Sequence, residues 1–389
     1  MKRKITILLI AAMTITLAAC GSKVQERKVI KKGDKPITVL EAESKANNEE
    51  LKVKKVGEYK NIDALEWQDE DKLLISQENK NNEIQNEGTK YYAENLFIFD
   101  TSTEKAKVLR EESSNHRWAE FSPDKKHILF RKNNSPAEGF YIMDSQGQNE
   151  VSIIGNEEML VLKARWVDNK NVIYIDENTG VIYEADISGK IVKIADLKAS
   201  GISEFRKIGD QIYYVSGDDD LTLLKYNLTI NEKSPVDKHV SELFPATDEN
   251  RIAYTKNTDT YQSQLIVCDK NFNNKKIIAE DQMISGVKWS PDNTKLLYLT
   301  CQGLGTDGIN VADLKTGKTT RVALNTGGES HLSWSPSGKK FVVSQFSGDG
   351  TKVKSIVYTF VENTKTSPVD NNPIITLNNT NYLSFVQMT

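Results

Sequence analysis

The chain has few of the residue types that most active sites and disulfide frameworks require. Its 389 residues include only three cysteines and four histidines. Cys268 and Cys301 have no second cysteine or histidine at metal-ligand spacing, so we expect no zinc site. We expect both to be free buried thiols, and a disulfide between neighbouring repeats is the alternative in an exported protein.

The short motifs that carry enzyme chemistry are also missing. The sequence contains no Gly-x-Ser-x-Gly elbow, no P-loop, no His-Glu-x-x-His and no complete calcium loop. His116 and His331 precede predicted strands, where we expect them on binding loops rather than in catalysis. Asp218, Asp219 and Asp220 form an acidic turn that either holds a hard cation or, more plainly, is a solvated hairpin tip. We therefore predict a protein that is not an enzyme and that carries no cofactor or metal.

Aromatic residues are absent from 22 to 58, where lysine and glutamate are abundant. Such a composition cannot bury enough apolar surface to order itself, so residues 20–50 are predicted to be a disordered tether. A coil of roughly 30 residues spans on the order of 30 Å. The run LKVKKV at 51–56 is predicted to be an early strand, and the ordered domain is placed at 51–389.

One long uncharged apolar run occurs, at 5–17, directly after the basic triplet KRK. It is too short to cross a bilayer and has the layout of a secretory signal, which places a signal peptide at 1–19. The last residue of this run and the three after it resemble the bacterial lipobox: Leu17, Ala18, Ala19 and Cys20. That resemblance implies cleavage before Cys20 and a diacylglycerol, with its palmitate-type chains, on the cysteine sulfur. An ordinary signal peptide with a chance cysteine is the alternative.

Removal of residues 1–19 would take the formal net charge from −3 to −6. A nucleic-acid-binding domain is expected to show a basic stripe, so a nucleic-acid partner is excluded. The predicted location is the extracytoplasmic side of the cell membrane, with the protein anchored to membrane lipid through Cys20.

A repeated phrase dominates the rest of the chain. FSPDKK at 121–126 recurs as WSPDNT at 289–294 and as WSPSGK at 334–339, and weaker copies start at Trp67 and Trp166. Each copy precedes an apolar run that has the composition of a β-strand. The aromatic residue ends one strand, and proline followed by Asp, Asn or Gly makes the turn into the next.

A second mark alternates with the first. It is an apolar strand that ends in Asp or Asn before a polar turn, with copies at 96–100, 140–144, 181–186, 223–227, 265–269 and 309–313. Each repeat of roughly 40–45 residues therefore supplies four antiparallel strands, which is typical of a propeller blade. The repeats begin near residues 62, 117, 162, 203, 241, 284 and 330.

The predicted fold class is an all-β β-propeller with seven four-stranded blades. Six or eight blades are alternatives, because two further strand-like runs lie within 373–389. The ring is expected to close by pairing one terminus with the other, which removes exposed sheet edges. An all-β sandwich is the rival fold, but it would not need a repeat of this period.

Blade topology predicts where a ligand binds. The repeated turns lie on one face of the ring, and the irregular connections lie on the other, where binding residues usually concentrate. The candidate binding residues on that face are Tyr91, His116, Asp176, Asp218, Asp219, Asp220, Tyr261 and His331.

The phrase W-S-P-D-G-x-K followed by three apolar residues resembles the repeat of TolB-like propellers. The resemblance covers roughly 60–360, is strong in three repeats and degenerate in four. It implies an extracytoplasmic protein that binds a partner through its propeller. We therefore predict a monomeric, non-catalytic binding or scaffolding module for a protein, peptide or cell-wall glycan. The alternative is a propeller enzyme, a polysaccharide lyase or hydrolase that acts at the axial channel.

Overall fold

The structure, a computed structural model, describes residues 28–32, 35–39, 51–86, 88–133, 138–154, 159–217, 221–258, 262–301, 307–325, 330–347, 350 and 352–361. Every regular element in these ranges is a β-strand. Residues 1–50 form one unit, in which β1 (Lys28–Lys32) pairs with β2 (Lys35–Val39) as a hairpin inside the predicted tether. The predicted signal peptide, Cys20 and the strand-like runs at 373–389 lie outside the described residues.

The second unit, residues 51–389, contains seven four-stranded antiparallel sheets. We number the sheets blade 1 to blade 7 in chain order, and we give the strands of each blade from the inner strand outward. Blade 1 comprises β4 (Asp63–Trp67), β5 (Lys72–Asn86), β6 (Thr89–Asp100) and β7 (Lys105–Arg110). Blade 2 comprises β8 (Ala119–Phe121), β9 (His127–Lys132), β10 (Gly139–Asp144) and β11 (Val151–Ser152). Blade 3 comprises β12 (Ala164–Trp166), β13 (Asn171–Asp176), β14 (Val181–Asp186) and β15 (Ile191–Asp196).

The remaining blades follow the same order. Blade 4 comprises β16 (Ile202–Ile208), β17 (Gln211–Ser216), β18 (Thr222–Asn227) and β19 (Glu232–Lys238). Blade 5 comprises β20 (Val240–Pro245), β21 (Arg251–Asn257), β22 (Ser263–Asp269) and β23 (Lys276–Asp281). Blade 6 comprises β24 (Met283–Trp289), β25 (Lys295–Cys301), β26 (Asp307–Asp313) and β27 (Lys318–Asn325). Blade 7 comprises β28 (Ser330–Trp334), β29 (Lys340–Phe346), β30 (Val353–Phe360) and, as its outer strand, β3 (Val53–Lys60).

The ring closes through β3, the first strand of the unit, which pairs with β30, the last described strand. Val53 lies opposite Phe360, and Val361 N–H donates to the Lys52 carbonyl at 2.8 Å. The predictions of seven blades and of closure between the two ends are therefore confirmed. Closure leaves neither end of the described sheet series unpaired, which protects it against edge-to-edge association.

Seven apolar clusters hold the ring together, one between each pair of neighbouring blades. Trp67 packs against blade 7, while Phe121 packs with blade 1. This arrangement explains why an aromatic residue recurs at the end of the inner strand, where it fills the space between two sheets.

Hydrogen bonds explain the serine and aspartate of the repeated phrase. The Ser290 hydroxyl accepts the N–H of Lys295, the first residue of the next strand, at 2.9 Å. Asp292 accepts the Ser290 hydroxyl at 2.6 Å, and Ser122 and Asp124 are arranged in the same way. The residue after Asp292 has a positive φ, which Asn293 tolerates.

The second mark, the Asp or Asn that ends the third strand of a blade, is also explained by local hydrogen bonds. The Asp269 carboxylate accepts the backbone N–H groups of Asn271 and Asn273 at 2.9 and 3.0 Å. Every other copy also caps its own turn through the side chain of its last residue: Asp100, Asp144, Asp186, Asn227 and Asp313. The carboxylate or amide satisfies backbone donors that the turn leaves free.

Candidate functional site

The two faces of the ring differ as predicted. We call the side that carries the repeated turns the turn face, and the side that carries the connections between second and third strands and between blades the loop face. The strand order in every blade places these connections at opposite strand ends. The outer strand β3 begins at the turn face. Its first residue, Val53, pairs with Phe360, and the Phe360 N–H donates to the carbonyl of Lys339 in a repeated turn.

The loop face carries one long projection. β5 and β6 continue past a bulge between Glu78 and Glu83, and the hairpin ends where Asn86 lies opposite Thr89. The structure gives this polar segment a largely paired backbone. Tyr91 on this hairpin is 38 % exposed, as expected for a candidate binding residue.

Exposed apolar side chains concentrate on the loop face. Leu160 and Leu162 precede the inner strand of blade 3, and Met283 begins the inner strand of blade 6. They are 47 %, 48 % and 52 % exposed, and Leu324, near the end of β27, is similarly accessible. On the turn face Ile230 is exposed, and Val56, Val192 and Ile277 are exposed on the outer strands β3, β15 and β23. Clusters of exposed apolar groups on one face indicate an interaction surface.

Residues at matching register on the inner strands lie around the axis in two tiers. The lower tier comprises the residues that pair with the third residue of each second strand: Glu66, Glu120, Arg165, Arg206, Phe244, Lys288 and Ser333. The upper tier, nearer the loop face, pairs with the fifth residue of the second strand and includes Asp63, Glu204, Glu242, Ser285 and His331. In blade 2 the equivalent residue is Trp118, whose carbonyl accepts the N–H of Arg131, the fifth residue of β9, at 3.1 Å. Charged groups thus converge at the mouth and interior of an axial channel.

Ion pairs neutralise several of the channel charges. Glu204, 3 % exposed, contacts Arg206 and lies 3.5 Å from Lys163 Nζ. Asp63 Oδ1 lies 2.8 Å from His331 Nδ1, which joins blade 1 to blade 7 at the channel mouth. Glu66 contacts Lys125 and accepts the Phe121 N–H at 2.6 Å.

Other charges around the axis have more distant partners. In the described part of the chain, Glu120, Glu242 and Lys288 make no direct ion pair, and Lys288 is exposed. The Arg165 guanidinium lies 3.8 Å from Glu204, and its buried Nε has no hydrogen-bond partner. Glu120 interacts at longer range with Arg165, Lys288 and Arg206, and Glu242 with Arg206 and Lys163, so these charges partly compensate one another.

The environment of the channel changes the titration of its groups. Burial raises the pKa of the Glu120 carboxyl, although the cations Arg165 and Lys288 oppose the change. Burial, together with neighbouring Arg165 and Arg206, lowers the pKa of Lys163. Glu120 and Lys288 belong to inner strands that are not neighbours in the ring, so their interaction crosses the axis.

His116 lies beneath the loop face. Its side chain is fully buried, its Nε2 lies 2.6 Å from Glu112 Oε1, and its ring meets Phe130 edge to face. Lys132 bridges Glu112 and Glu150 at 3.1 and 2.7 Å, which completes a charge network between blades 1 and 2. A ligand on the surface therefore does not reach this histidine.

Asp176 caps its own loop. It accepts the Thr179 hydroxyl at 2.6 Å and the Leu160 N–H at 3.3 Å, and it is 6 % exposed. His331 is the candidate that the structure places at the channel mouth. Asp218, Asp219, Asp220 and Tyr261 lie outside the described residues.

The structure does not join Cys268 to Cys301. Cys268 is buried, which raises the pKa of its thiol to about 12, and Cys301 is half-buried. No group of three or more His, Cys, Asp or Glu side chains is arranged to hold a metal ion in the ranges that the structure covers. Within the same ranges, no helix has the length and apolar character that spanning a bilayer requires.

Sequence reasoning missed the lower tier, although a sequence pattern identifies it. Glu120, Arg165 and Lys288 each directly precede the aromatic residue of the repeated phrase. The aromatic side chain packs between blades, and its predecessor points elsewhere because neighbouring side chains on a strand alternate. The position before the aromatic therefore predicts the channel lining.

Comparisons with known proteins give a weak relationship in sequence. No protein-family model matches the chain. A stretch of 105 residues is 30 % identical to the Tol-Pal system protein TolB of Francisella tularensis subsp. mediasiatica (strain FSC147), and it covers 25 % of this chain and 24 % of that protein. TolB of subsp. holarctica (strain OSU18) matches to the same extent. The chain thus spans about a quarter of the length of the curated relatives it matches.

Solved structures share the fold at low sequence identity. Oligogalacturonate lyase in complex with manganese has a TM-score of 0.62 at 13 % identity, over 80 % of this chain and 91 % of that one. A chain of the mitotic checkpoint complex has a TM-score of 0.52 at 13 % identity, over 78 % and 91 %. Likeness at this identity shows the fold alone. The seven-bladed ring, the repeated phrase and the short stretch of similarity fit a TolB-like propeller.

Proposed function

We propose that this protein is an extracytoplasmic lipoprotein whose propeller is a non-catalytic module that binds a protein or peptide on its loop face. The observation that carries the proposal is the set of exposed apolar side chains beside the channel mouth, with Leu160 and Leu162 foremost. Apolar anchors beside polar groups are the usual composition of a binding surface. The name of the matched relatives, which assigns them to the Tol-Pal system, also favours a protein partner.

Two carboxylates at the channel mouth have fixed partners. Glu204 is held by Arg206 and Lys163, and Asp63 is held by His331. These groups fix the shape and charge pattern of the mouth.

The membrane anchor completes the proposal. The lipobox-like residues ending at Cys20 supply the acyl attachment, and the segment to residue 50 supplies the tether. Growth of the native host with a clickable fatty acid should label the wild type, while Cys20→Ala should take up no label. Undiminished labelling of Cys20→Ala would contradict the anchor.

The binding face is tested by two matched variants. Leu160→Ser combined with Leu162→Ser removes the exposed apolar groups of the loop face, and Ile230→Ser removes an exposed group of the turn face. Material captured from solubilised host envelopes should fall at least about tenfold with the double variant, as expected for loss of an interface anchor. It should be unchanged with Ile230→Ser. Equal capture by all three proteins would contradict the proposal.

A second candidate is an enzyme that acts on polysaccharide at the channel. Its support is the presence around the axis of one base with a lowered pKa, Lys163, and one acid with a raised pKa, Glu120, because shifted acid and base groups are typical of active sites. Incubation with oligogalacturonate and manganese tests it. Formation of unsaturated uronate that Lys163→Ala abolishes would establish this candidate in place of the first.

A further inference from the structure

The outer edge of the projecting hairpin in blade 1 is open near its tip. β6 runs from Thr89 to Asp100, but β7 pairs only with its second part, from Leu96 onward. On the same edge, the Glu94 N–H donates to Asn115 Oδ1 at 2.9 Å, and the Glu94 carbonyl accepts the His116 N–H at 2.7 Å. Between Glu94 and the tip, none of the residues that the structure describes pairs with this edge.

Strand geometry identifies the main-chain groups that are open. Alternate residues of an antiparallel strand direct their N–H and C=O groups to the same edge, so those of Tyr92 and Lys90 share the edge of Glu94. Tyr91 lies between them and pairs in the other direction, with Ile84 of β5. The open edge therefore offers the N–H and C=O of Tyr92 and of Lys90. Such an edge is a template for a further strand unless proline, a bulge or an unpaired charge protects it, and the bulge of this hairpin lies in β5.

The side chains of the tip do not oppose a further strand. Tyr91 is 38 % exposed and is the one aromatic residue among the exposed large apolar residues of the described ranges. Ile84, directly opposite it, lies on the same face and is partly buried. Lys90 Nζ lies 2.8 Å from Glu83 Oε1, so the charge nearest to the open groups is neutralised within the hairpin. An identical hairpin would therefore meet no uncompensated charge here.

We infer that two copies of this chain pair through the open edges of β6, with the strands antiparallel and a two-fold axis at Tyr91. In this register, Lys90 of each copy lies opposite Tyr92 of the other, and the open N–H and C=O groups of both residues bond to one another. The bonds that Glu94 makes within its own chain stay intact. Each Lys90 also lies beside the ring of the opposing Tyr92, which is a favourable position for a cation.

A second copy is the favoured occupant because the edge is complementary to itself. The two Tyr91 residues form a pair without mutual main-chain hydrogen bonds, the kind in which Cα atoms are about 4.5 Å apart and side chains are closest. Ile84 and Tyr91 of the two copies then form one apolar row across four strands, which covers the exposed rings. The inference goes beyond the proposed function, which concerns a different protein, and it replaces the monomer expected from the sequence.

Disulfide trapping in membranes of the native host tests the pairing and its register. Tyr91→Cys in the full chain should give a linked dimer on oxidation with copper phenanthroline, because the paired Cα atoms lie within disulfide range. Tyr92→Cys and Lys90→Cys should each give none alone, whereas their co-expression with different tags should give the mixed dimer. The wild type controls for the native cysteines, and Ile230→Cys, exposed on the turn face, controls for random collision.

A proline substitution separates strand pairing from side-chain contact. Added to Tyr91→Cys, Tyr92→Pro removes an outward N–H that the fold does not use, which an edge strand tolerates. It should lower the yield of linked dimer at least about tenfold, because each copy loses one donor of the pairing. Tyr92→Val also removes the ring but keeps the N–H, so it should retain most of the dimer. Urea unfolding checks that both variants are folded.

Three results would overturn the inference. The first is a yield of linked dimer from Tyr91→Cys no greater than that from Ile230→Cys. The second is an equal yield from Tyr92→Pro and Tyr92→Val, and the third is linkage of Tyr91→Cys to a different protein, whose strand would then be the occupant. The proposed function is tested separately, because Leu160→Ser with Leu162→Ser should lower capture and leave the linked dimer unchanged.

Discussion

The indole Nε1 of Trp289 donates to the Phe244 carbonyl of the preceding blade at 2.7 Å. Trp334 makes the same bond to Lys288 at 3.1 Å, and Trp166 makes it to Glu120 at 3.4 Å. The aromatic residue of the repeat therefore does more than fill space. In these three blades it ties the inner strand to its neighbour at the level of the lower tier.

Replacement of Trp289 by benzothienylalanine, which keeps the ring shape and lacks the N–H, tests this bond. It should destabilise the protein by about 1 kcal/mol, because the Phe244 carbonyl loses its donor. Trp67 is the control, since its buried Nε1 has no hydrogen-bond partner. The same replacement there should cost less than at Trp289 or stabilise the protein. Equal costs in urea unfolding at the two positions would contradict the role of the bond.

Asp237 links blade 4 to blade 5. It accepts Lys256 at 2.6 Å, Lys275 at 2.8 Å and the Tyr254 hydroxyl at 2.9 Å. Asp237→Asn should lower the free energy of unfolding by about 2 kcal/mol, since the partly buried Lys256 and the exposed Lys275 lose their partner. Asp196→Asn, which affects one exposed pair with Lys193, should change it much less. Denaturant unfolding of both variants measures the difference.

The capped turns predict an acid-labile ring. Hydrogen bonds from Ser290 and Thr294 lower the pKa of Asp292 to about 2, against the opposing effect of burial, and those from Ser102 and Thr103 lower that of Asp100 to about 2. A lowered pKa in the folded state contributes stability that is present above the ordinary aspartate pKa and is lost as pH falls through the lowered one. We expect the thermal unfolding midpoint to fall as the pH is lowered from about 4 to about 2. Asp292→Asn should make that fall shallower, and an unchanged slope would contradict the cause.

The Glu120 carboxyl should have the opposite effect on the pH dependence of stability. Because its pKa is raised by burial, its contribution to stability is present at low pH and is lost as pH rises through the raised value. Glu120→Gln should therefore raise the thermal midpoint at pH 7.5 by about 2 °C and have little effect at pH 4. Calorimetry at the two pH values checks this, and a lower midpoint at pH 7.5 would mean that the channel cations already stabilise the carboxylate.

Much of the fold is predictable from the sequence because its cause is local. The turn phrase and the capping Asp or Asn act within six residues, so seven repeats could be counted and their starts placed close to the observed inner strands. The closing strand β3 was also predictable, since LKVKKV precedes the first repeat and a ring needs a partner for its last sheet.

The site was harder to predict because its causes are not local. His116 is close in sequence to a loop, yet its burial depends on Phe130 and on Glu112 in the folded network. Arg165 and Lys288 are 123 positions apart, and only closure of the ring brings their inner strands around one axis. The sequence pattern places His331 on a candidate binding loop, whereas its contact with Asp63 requires blade 7 to meet blade 1.

Site-specific photo-crosslinking in the envelope of the native host tests the central claim most directly. A benzophenone amino acid is placed at Leu162 or Met283 on the loop face, and at Ile230 on the turn face, all about half exposed. Adducts should form from Leu162 and Met283, while Ile230 should give none. Adducts from Ile230 alone would show that the turn face is the binding surface and would contradict this account.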